Sequence, residues 1–173
     1  MKKNFTIQQR LIFPIILLGV VALISNALSV FNINNVNANA SNIVDNYMVG
    51  SETLQNIRYT TINIHKLALS HIVAVDYNTM ITVVAQIKEE ERTLETYLKE
   101  YEKYITKDDE AVYAQLLENY NSFKHALVYL VCASADSKTQ DAYAYANGDV
   151  ARFGSAIESN TDELYEAVSA RTA

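Results

Sequence analysis

Residues 33–75 read INNVNANASNIVDNYMVGSETLQNIRYTTINIHKLALSHIVAV, and apolar or small side chains recur along this stretch at alternating steps of three and four. The repeating positions are Ile33, Val36, Ala40, Ile43, Tyr47, Gly50, Leu54, Ile57, Thr61, Ile64, Ala68, His71 and Val75. This spacing keeps one face of an α-helix apolar and is typical of coiled-coil packing. Asparagine, a poor helix former, is frequent before residue 47, but the stripe continues through it. We therefore predict one long helix over residues 32–75 that packs against other helices.

Three further apolar stripes follow, separated by residues that favour turns. They comprise Ile81, Val84, Ile87, Leu94, Leu98, Tyr101 and Ile105; Tyr113, Leu116, Tyr120, Phe123, Leu127 and Leu130; and Tyr143, Ala146, Val150, Phe153, Ile157, Asn160, Leu164 and Ala167. Asp76 suits a helix N-cap, and Thr106 with Asp109 resembles a capping box. The stripes predict helices over about 78–105, 108–134 and 137–173. Together with the first helix, they predict an all-α, antiparallel, up-down-up-down four-helix bundle over residues 32–173.

The composition supports this fold class and excludes several others. The 173 residues include one Pro and four Gly, too few turn formers for a many-stranded β fold. The single cysteine, Cys132, cannot form an internal disulfide, and we expect it to be a small buried residue. The net charge is −6 although the first ten residues contain Lys2, Lys3 and Arg10, so we expect no nucleic-acid partner.

The N-terminal segment is long and apolar enough to cross a membrane. Residues 11–31 read LIFPIILLGVVALISNALSVF, and a helix of this length spans roughly 31 Å. Basic residues precede it and none follows until Arg58, so the positive-inside rule places residues 1–10 in the cytoplasm and the bundle outside the cell membrane. The alternative is a cleaved signal peptide with Ala38-Asn39-Ala40 as its cleavage site, but that site lies far beyond the apolar run.

The order of these segments resembles a known family. The basic start, the spanning segment and the Asn-rich exit are followed by LQNIRYTTINIHKLAL (54–69), EEERTLETYLKEYEKYIT (89–106), NYNSFKHALVYL (119–130) and NGDVARFGSAIESNTDELYEAV (147–168). This arrangement is similar to the extracytoplasmic four-helix-bundle sensor domain of methyl-accepting chemotaxis proteins. The resemblance covers nearly the whole chain and depends on the helix layout rather than on fixed residues.

The resemblance implies a homodimeric receptor whose bundle binds a small molecule. Its output would pass through a second transmembrane segment and a HAMP helix pair to a cytoplasmic region that acts on a histidine kinase and a coupling protein. Because the sequence reaches Ala173 without a second apolar run, we expect a truncated receptor or an isolated sensor fragment. Two alternatives remain open: a sensor bundle of a histidine kinase or cyclic-dinucleotide enzyme, and a ligand-free structural or adhesive bundle anchored in the membrane.

A candidate ligand site follows from counting residues away from the predicted turns. The resemblance implies a ladder of arginines on the first helix, but this chain has only Arg58 there, so an amino-acid ligand is not indicated. Arg58 lies at about the same depth as Ser155 on the fourth helix, and two guanidinium groups would suit a carboxylate. The predicted lining residues are Arg58, Tyr59, Ile62, His65, Arg152 and Ser155. The alternative is that both arginines are solvated surface charges.

The sequence contains no motif for metal binding or for covalent haem attachment. His65 and His71 are six residues apart, not the four that would direct both at one metal ion from a helix, and no Cys-x-x-Cys-His is present for haem. We therefore expect no metal, no cofactor and no enzymatic activity. His71 lies in the stripe and is expected to be buried and hydrogen-bonded, whereas His125 is expected at the surface. A second apolar line at Met48, Ile62 and Leu69 predicts a parallel homodimer through the first and fourth bundle helices.

Overall fold

The computed structural model describes residues 7–42 and 47–172, which are helical apart from short turns. The chain divides into two compact units, residues 1–43 and 44–173. In the first unit, helix α1 comprises Ile7–Asn42. Within it, Ile16–Asn37 has a mean hydropathy of 2.2 and no buried side chain, so it is long and apolar enough to cross a membrane. Whether the helix continues from α1 into the bundle depends on residues 43–46, which lie outside the described residues.

The second unit contains the four antiparallel segments of the predicted bundle. Helices α2, α3, α4, α5 and α6 comprise Val49–Ile72, Tyr77–Tyr101, Glu110–Ala135, Thr139–Tyr145 and Ala151–Thr172. A 3₁₀ turn, Glu102–Tyr104, extends α3. The π-helical segment Ala146–Val150, with its kink at Gly148, joins α5 to α6, so these three form the fourth segment of the bundle. The predicted all-α bundle is confirmed, although its first helix ends at Ile72 and Val75 is 96% exposed.

Contacts between neighbouring helices establish the up-down-up-down order. Asn63 of α2 donates to Glu90 of α3 at 2.7 Å, and Tyr113 of α4 donates to the Leu98 carbonyl of α3 at 2.8 Å. Asn119 of α4 donates to Asn160 of α6 at 2.8 Å, and α6 also packs against α2. Each segment therefore lies between two antiparallel neighbours, as in other four-helix bundles.

The apolar stripes form the core of this bundle, with two corrections. All six positions of the third stripe are buried, and so are the first-stripe positions from Gly50 to His71. In the second stripe Val83 is buried, whereas Ile81 is 52% exposed. In the fourth stripe the buried positions run in steps of four through Ala142, Ala146, Val150 and Gly154, instead of through Tyr143 and Phe153. The wider turn of the π segment accounts for this shift, because steps of four then stay on one face.

Local hydrogen bonds fix the three connections between bundle segments. Asp76 caps α3 by accepting from the Thr79 amide at 2.9 Å, as predicted. Asp109 accepts from both the amide and the hydroxyl of Thr106. The predicted capping box does not form, because α4 begins at Glu110 with Asp109 as its N-cap, and the Asp109 amide donates to the Thr106 carbonyl instead of its hydroxyl. After α4, the Lys138 amide donates to the Ala133 carbonyl, and Ser137 takes a φ of 60°. This is a Schellman motif with serine at the position where glycine is usual.

Candidate functional site

The face shared by α2 and α6 contains two neighbouring grooves. The larger, with a volume of about 410 Å³, is lined by Leu54, Gln55, Arg58, Tyr59, Ile62, Thr161, Asp162 and Tyr165. The smaller, of about 290 Å³, is lined by Thr61, Ile62, His65, Ala151, Gly154, Ser155 and Glu158. Both volumes are close to the lower end of the range for small-molecule sites. Ile62 lines both grooves, so they form one surface along the two helices.

Arg58 lies at the boundary of these grooves and is already paired with acidic side chains. Its guanidinium donates to Asp162 Oδ1 at 2.9 Å, and a second nitrogen lies 3.3 Å from Glu158 Oε2. The Arg58 side chain is 44% exposed, so these pairs are partly solvated and each contributes little to stability. Two carboxylates and one guanidinium give this part of the surface a net negative charge.

Arg152 does not join Arg58. Its guanidinium pairs with Asp149 at 2.9 Å and stacks on the Phe153 ring, 4.3 Å from the ring centroid. It lines neither groove. Side chains tilt toward the N-terminus of their own helix, so at equal depth they point in opposite directions on two antiparallel helices. Arg58 therefore reaches toward the C-terminal part of α6 and Arg152 toward its start, and the two guanidinium groups do not converge on one carboxylate.

The remaining predicted site residues divide between the two grooves. Tyr59 lines the larger groove, His65 and Ser155 line the smaller one, and Ile62 lines both. The His65 Nε2 donates to the Ala146 carbonyl at 3.1 Å, which ties α2 to the π segment. The structure thus brings five of the six predicted residues to one continuous surface.

Residue counting missed the acidic residues and the second tyrosine of this surface. Glu158, Asp162 and Tyr165 follow one another at steps of four and three on α6. The tilt of side chains in antiparallel helices would have identified the two carboxylates as partners of Arg58. Tyr165 also lies beside Tyr47, with 3.4 Å between their hydroxyl oxygens, and this hydrogen bond raises the pKa of Tyr165.

The structure tests three predictions about other reactive side chains. Cys132 is exposed, so the prediction that it is buried is wrong. It follows the buried Leu130 by two residues, which places it on the opposite side of α4. His125 is exposed and His71 is buried with its Nδ1 2.9 Å from Ser134 Oγ, as predicted. Within residues 7–42 and 47–172, no three His, Cys, Asp or Glu side chains form a group that could hold a metal ion.

Comparison with known proteins identifies the family to which this chain is similar. A search of curated proteins gives no match. A sequence profile of the family described as a four helix bundle sensory module for signal transduction matches residues 4–172, nearly the whole chain. This family is a signalling module and not a catalytic domain, and an N-terminal apolar helix fits a single-pass membrane protein. The chain therefore belongs to the family of four-helix-bundle sensory modules of chemotaxis receptors.

Proposed function

We propose that this chain is the ligand-sensing part of a chemotaxis transmembrane receptor and that its ligand binds on the α2–α6 face. The observation that carries the proposal is the pair of adjoining grooves on that face, in a chain that belongs to a sensory family. The proposed site comprises Arg58, Tyr59, Ile62, His65 and Ser155, which line the two grooves. Arg152, paired with Asp149, would affect only the charge at the edge of the smaller groove.

The proposed topology places the sensing bundle outside the cell. Residues 1–10 would remain in the cytoplasm, residues 11–31 would cross the membrane, and the bundle would be extracytoplasmic. The basic residues before the apolar segment and the absence of Lys or Arg after it until Arg58 support this orientation.

Signalling would use the relative position of α2 and α6. A ligand that contacts both helices stabilises whichever packing arrangement it binds more tightly, and the output can shift only by that difference in affinity. A homodimer through α2 and α6 would let a second copy lie along the same face. The signal would then reach a histidine kinase and its coupling protein through a cytoplasmic region.

A receptor chimera tests this function. Residues 1–172 are joined to the second transmembrane segment, HAMP pair and kinase-control region of a chemoreceptor, and kinase activity is measured in membranes against a library of small metabolites. We expect some compounds to change kinase activity. We expect Ile62→Trp to abolish the change, because Ile62 lines both grooves and the larger side chain would occupy space in them. Ile81→Trp is the matched control, because Ile81 is exposed and lines neither groove.

Two results would contradict the proposal. One is a chimera whose kinase activity is constant across the library, which is the behaviour of a ligand-free structural bundle. The other is a response that Ile62→Trp leaves intact, since the ligand would then bind elsewhere.

A further inference from the structure

The charge of the larger groove specifies the kind of ligand that it can accept. Arg58 is the single basic residue among its lining residues, and both Glu158 and Asp162 lie against that guanidinium. Only one oxygen of each carboxylate contacts Arg58, and among the described residues the other oxygen has no hydrogen-bond donor. An anionic ligand would have to displace these carboxylates, whereas a cation would find one acceptor in Asp162 and a second in Glu158, which lines the adjoining smaller groove.

Aromatic side chains on either side of the groove favour the same ligand charge. Tyr59 is 67% exposed, and Tyr165 is 36% exposed, although both are large side chains with apolar rings. Tyrosine ring faces attract ammonium groups, and this attraction is strongest where water is partly excluded. Leu54 and Ile62 supply apolar surface between the tyrosines. A volume of about 410 Å³ is sufficient for an ammonium group attached to a small apolar body.

We propose that the larger groove, where it adjoins the smaller one, binds a small organic cation. This is an amine whose ammonium group lies against Asp162 of the larger groove and Glu158 of the smaller one, and whose apolar or aromatic body lies on Tyr59 and Ile62. This inference rests on the proposed function, because it assigns a chemical class to the ligand of the same face. The sequence predicted a carboxylate ligand between Arg58 and Arg152. The structure favours a ligand of the opposite charge, because each arginine is already paired with acidic side chains.

Three probes of nearly equal size and shape test this assignment. Phenethylammonium, 3-phenylpropanamide and 3-phenylpropanoate have the same aromatic body and differ in charge. Each is titrated into the full chain in detergent micelles at neutral pH, by calorimetry. We expect phenethylammonium to bind about tenfold more tightly than the amide, and the carboxylate to bind most weakly.

Variants at the ion pair give the sharpest discrimination. Asp162→Asn should weaken phenethylammonium binding by about two- to fivefold, since Asp162 is partly exposed. Arg58→Gln should tighten phenethylammonium binding, because it removes a cation that competes for the same two carboxylates. Asp149→Asn is the matched control: it breaks a similar aspartate–arginine pair outside both grooves and should leave binding unchanged. Thermal unfolding of each variant verifies that the bundle is folded.

The inference is overturned if phenethylammonium does not bind, or if 3-phenylpropanoate binds most tightly and Arg58→Gln abolishes that binding. In either case the proposed function is judged separately by the kinase response of the chimera, which does not depend on the charge of the ligand. A responsive chimera with an anionic ligand would preserve the sensory function and reject only the cationic class.

Discussion

At the scale of single residues, His71 combines complete burial with an ionisable side chain. Its Nδ1 donates to Ser134 Oγ at 2.9 Å, and the Ser134 hydroxyl donates in turn to the His71 carbonyl at 3.2 Å. Burial lowers the pKa of the imidazole from its ordinary value of 6.5, because the charged form loses its hydration. The pair joins the ends of α2 and α4 with a neutral histidine.

This burial predicts an acid-dependent loss of stability. The unfolded chain, whose histidine has an ordinary pKa, takes up a proton at higher pH than the folded chain does. The free energy of unfolding should therefore decrease as pH falls below about 6.5 and stop decreasing below the lowered folded pKa. His71→Asn, whose amide can still donate to Ser134, should reduce this dependence in denaturant titrations from pH 7.5 to 5. Equal slopes for the parent and the variant would contradict the prediction.

Tyr101 is also buried but, unlike His71, its polar group has no hydrogen-bond partner among the described residues. Burial raises the pKa of this phenol to about 12, so the hydroxyl stays neutral. A buried unpaired hydroxyl costs free energy, and Tyr101→Phe should therefore stabilise the bundle by about 1 kcal/mol. Tyr113→Phe is the matched control, because the Tyr113 hydroxyl donates to the Leu98 carbonyl, and its loss should destabilise by about 1 kcal/mol. Thermal unfolding that gives both variants the same sign of change would contradict this account of Tyr101.

At the scale of helices, the end of α6 is tied to the connection between α3 and α4. Arg171 donates to Asp109 and to the Thr106 hydroxyl. Burial raises the pKa of the Asp109 carboxyl, but hydrogen bonds from Arg171 and Thr106 outweigh burial and hold the pKa below its ordinary value. Any displacement of α6 along the bundle would have to strain or break this contact.

The two sides of this ion pair should respond differently to substitution. Arg171→Ala leaves a carboxylate that is only 4% exposed without its cation, and should destabilise the bundle by about 2–3 kcal/mol. Asp109→Asn leaves an arginine that is 36% exposed and can be hydrated, and should cost about 1 kcal/mol. Denaturant unfolding of both variants measures the difference. A larger loss of stability for Asp109→Asn than for Arg171→Ala would contradict this prediction. It would mean that an unpaired buried carboxylate is not the main cost of breaking the pair.

How far the sequence predicts these helices depends on their regularity. The third stripe, from Tyr113 to Leu130, is buried at each predicted position because α4 is a regular helix throughout. The fourth stripe fails at Tyr143 and Phe153 because the π segment at Ala146–Val150 changes the period. Asn147-Gly148, a pair that favours turns, was the one sequence signal for the kink at Gly148. Uniform helical periodicity could not detect it.

The candidate site was predictable in position but not in chemistry. Arg58, Ile62 and His65, which were predicted from their distance to the turns, lie on the face that α2 shares with α6. The distance to a turn gives only the depth of a Cα atom along the bundle. It does not give the direction in which the side chain points. Glu158 and Asp162, which determine the charge beside Arg58, were missed for that reason.

At the scale of the whole molecule, association of two copies is the first expectation. Met48, on the predicted second apolar line, is 59% exposed, and Ile62 and Leu69 are partly buried. Sedimentation of the full chain in detergent should show a concentration-dependent dimer. Met48→Glu should weaken it roughly tenfold by placing a charge on the apolar line, and Val75→Glu, a fully exposed control, should not. A strict monomer at high concentration, with and without bound probe, would count against the dimer.

The proposed extracytoplasmic position of the bundle can be tested directly through the single cysteine. Cys132 is exposed on α4, and the sequence contains no second cysteine that could react in its place. The matched control moves the thiol to the other side of the membrane, with Lys3→Cys in a Cys132→Ser background. Each form is expressed in bacterial cells and treated with a membrane-impermeant maleimide before and after permeabilisation.

The proposed topology predicts that Cys132 is labelled in intact cells and that the cysteine at position 3 is labelled only after permeabilisation. Labelling of Cys132 only after permeabilisation, with the cysteine at position 3 accessible from outside, would contradict it, because a bundle on the cytoplasmic side could not sense the exterior.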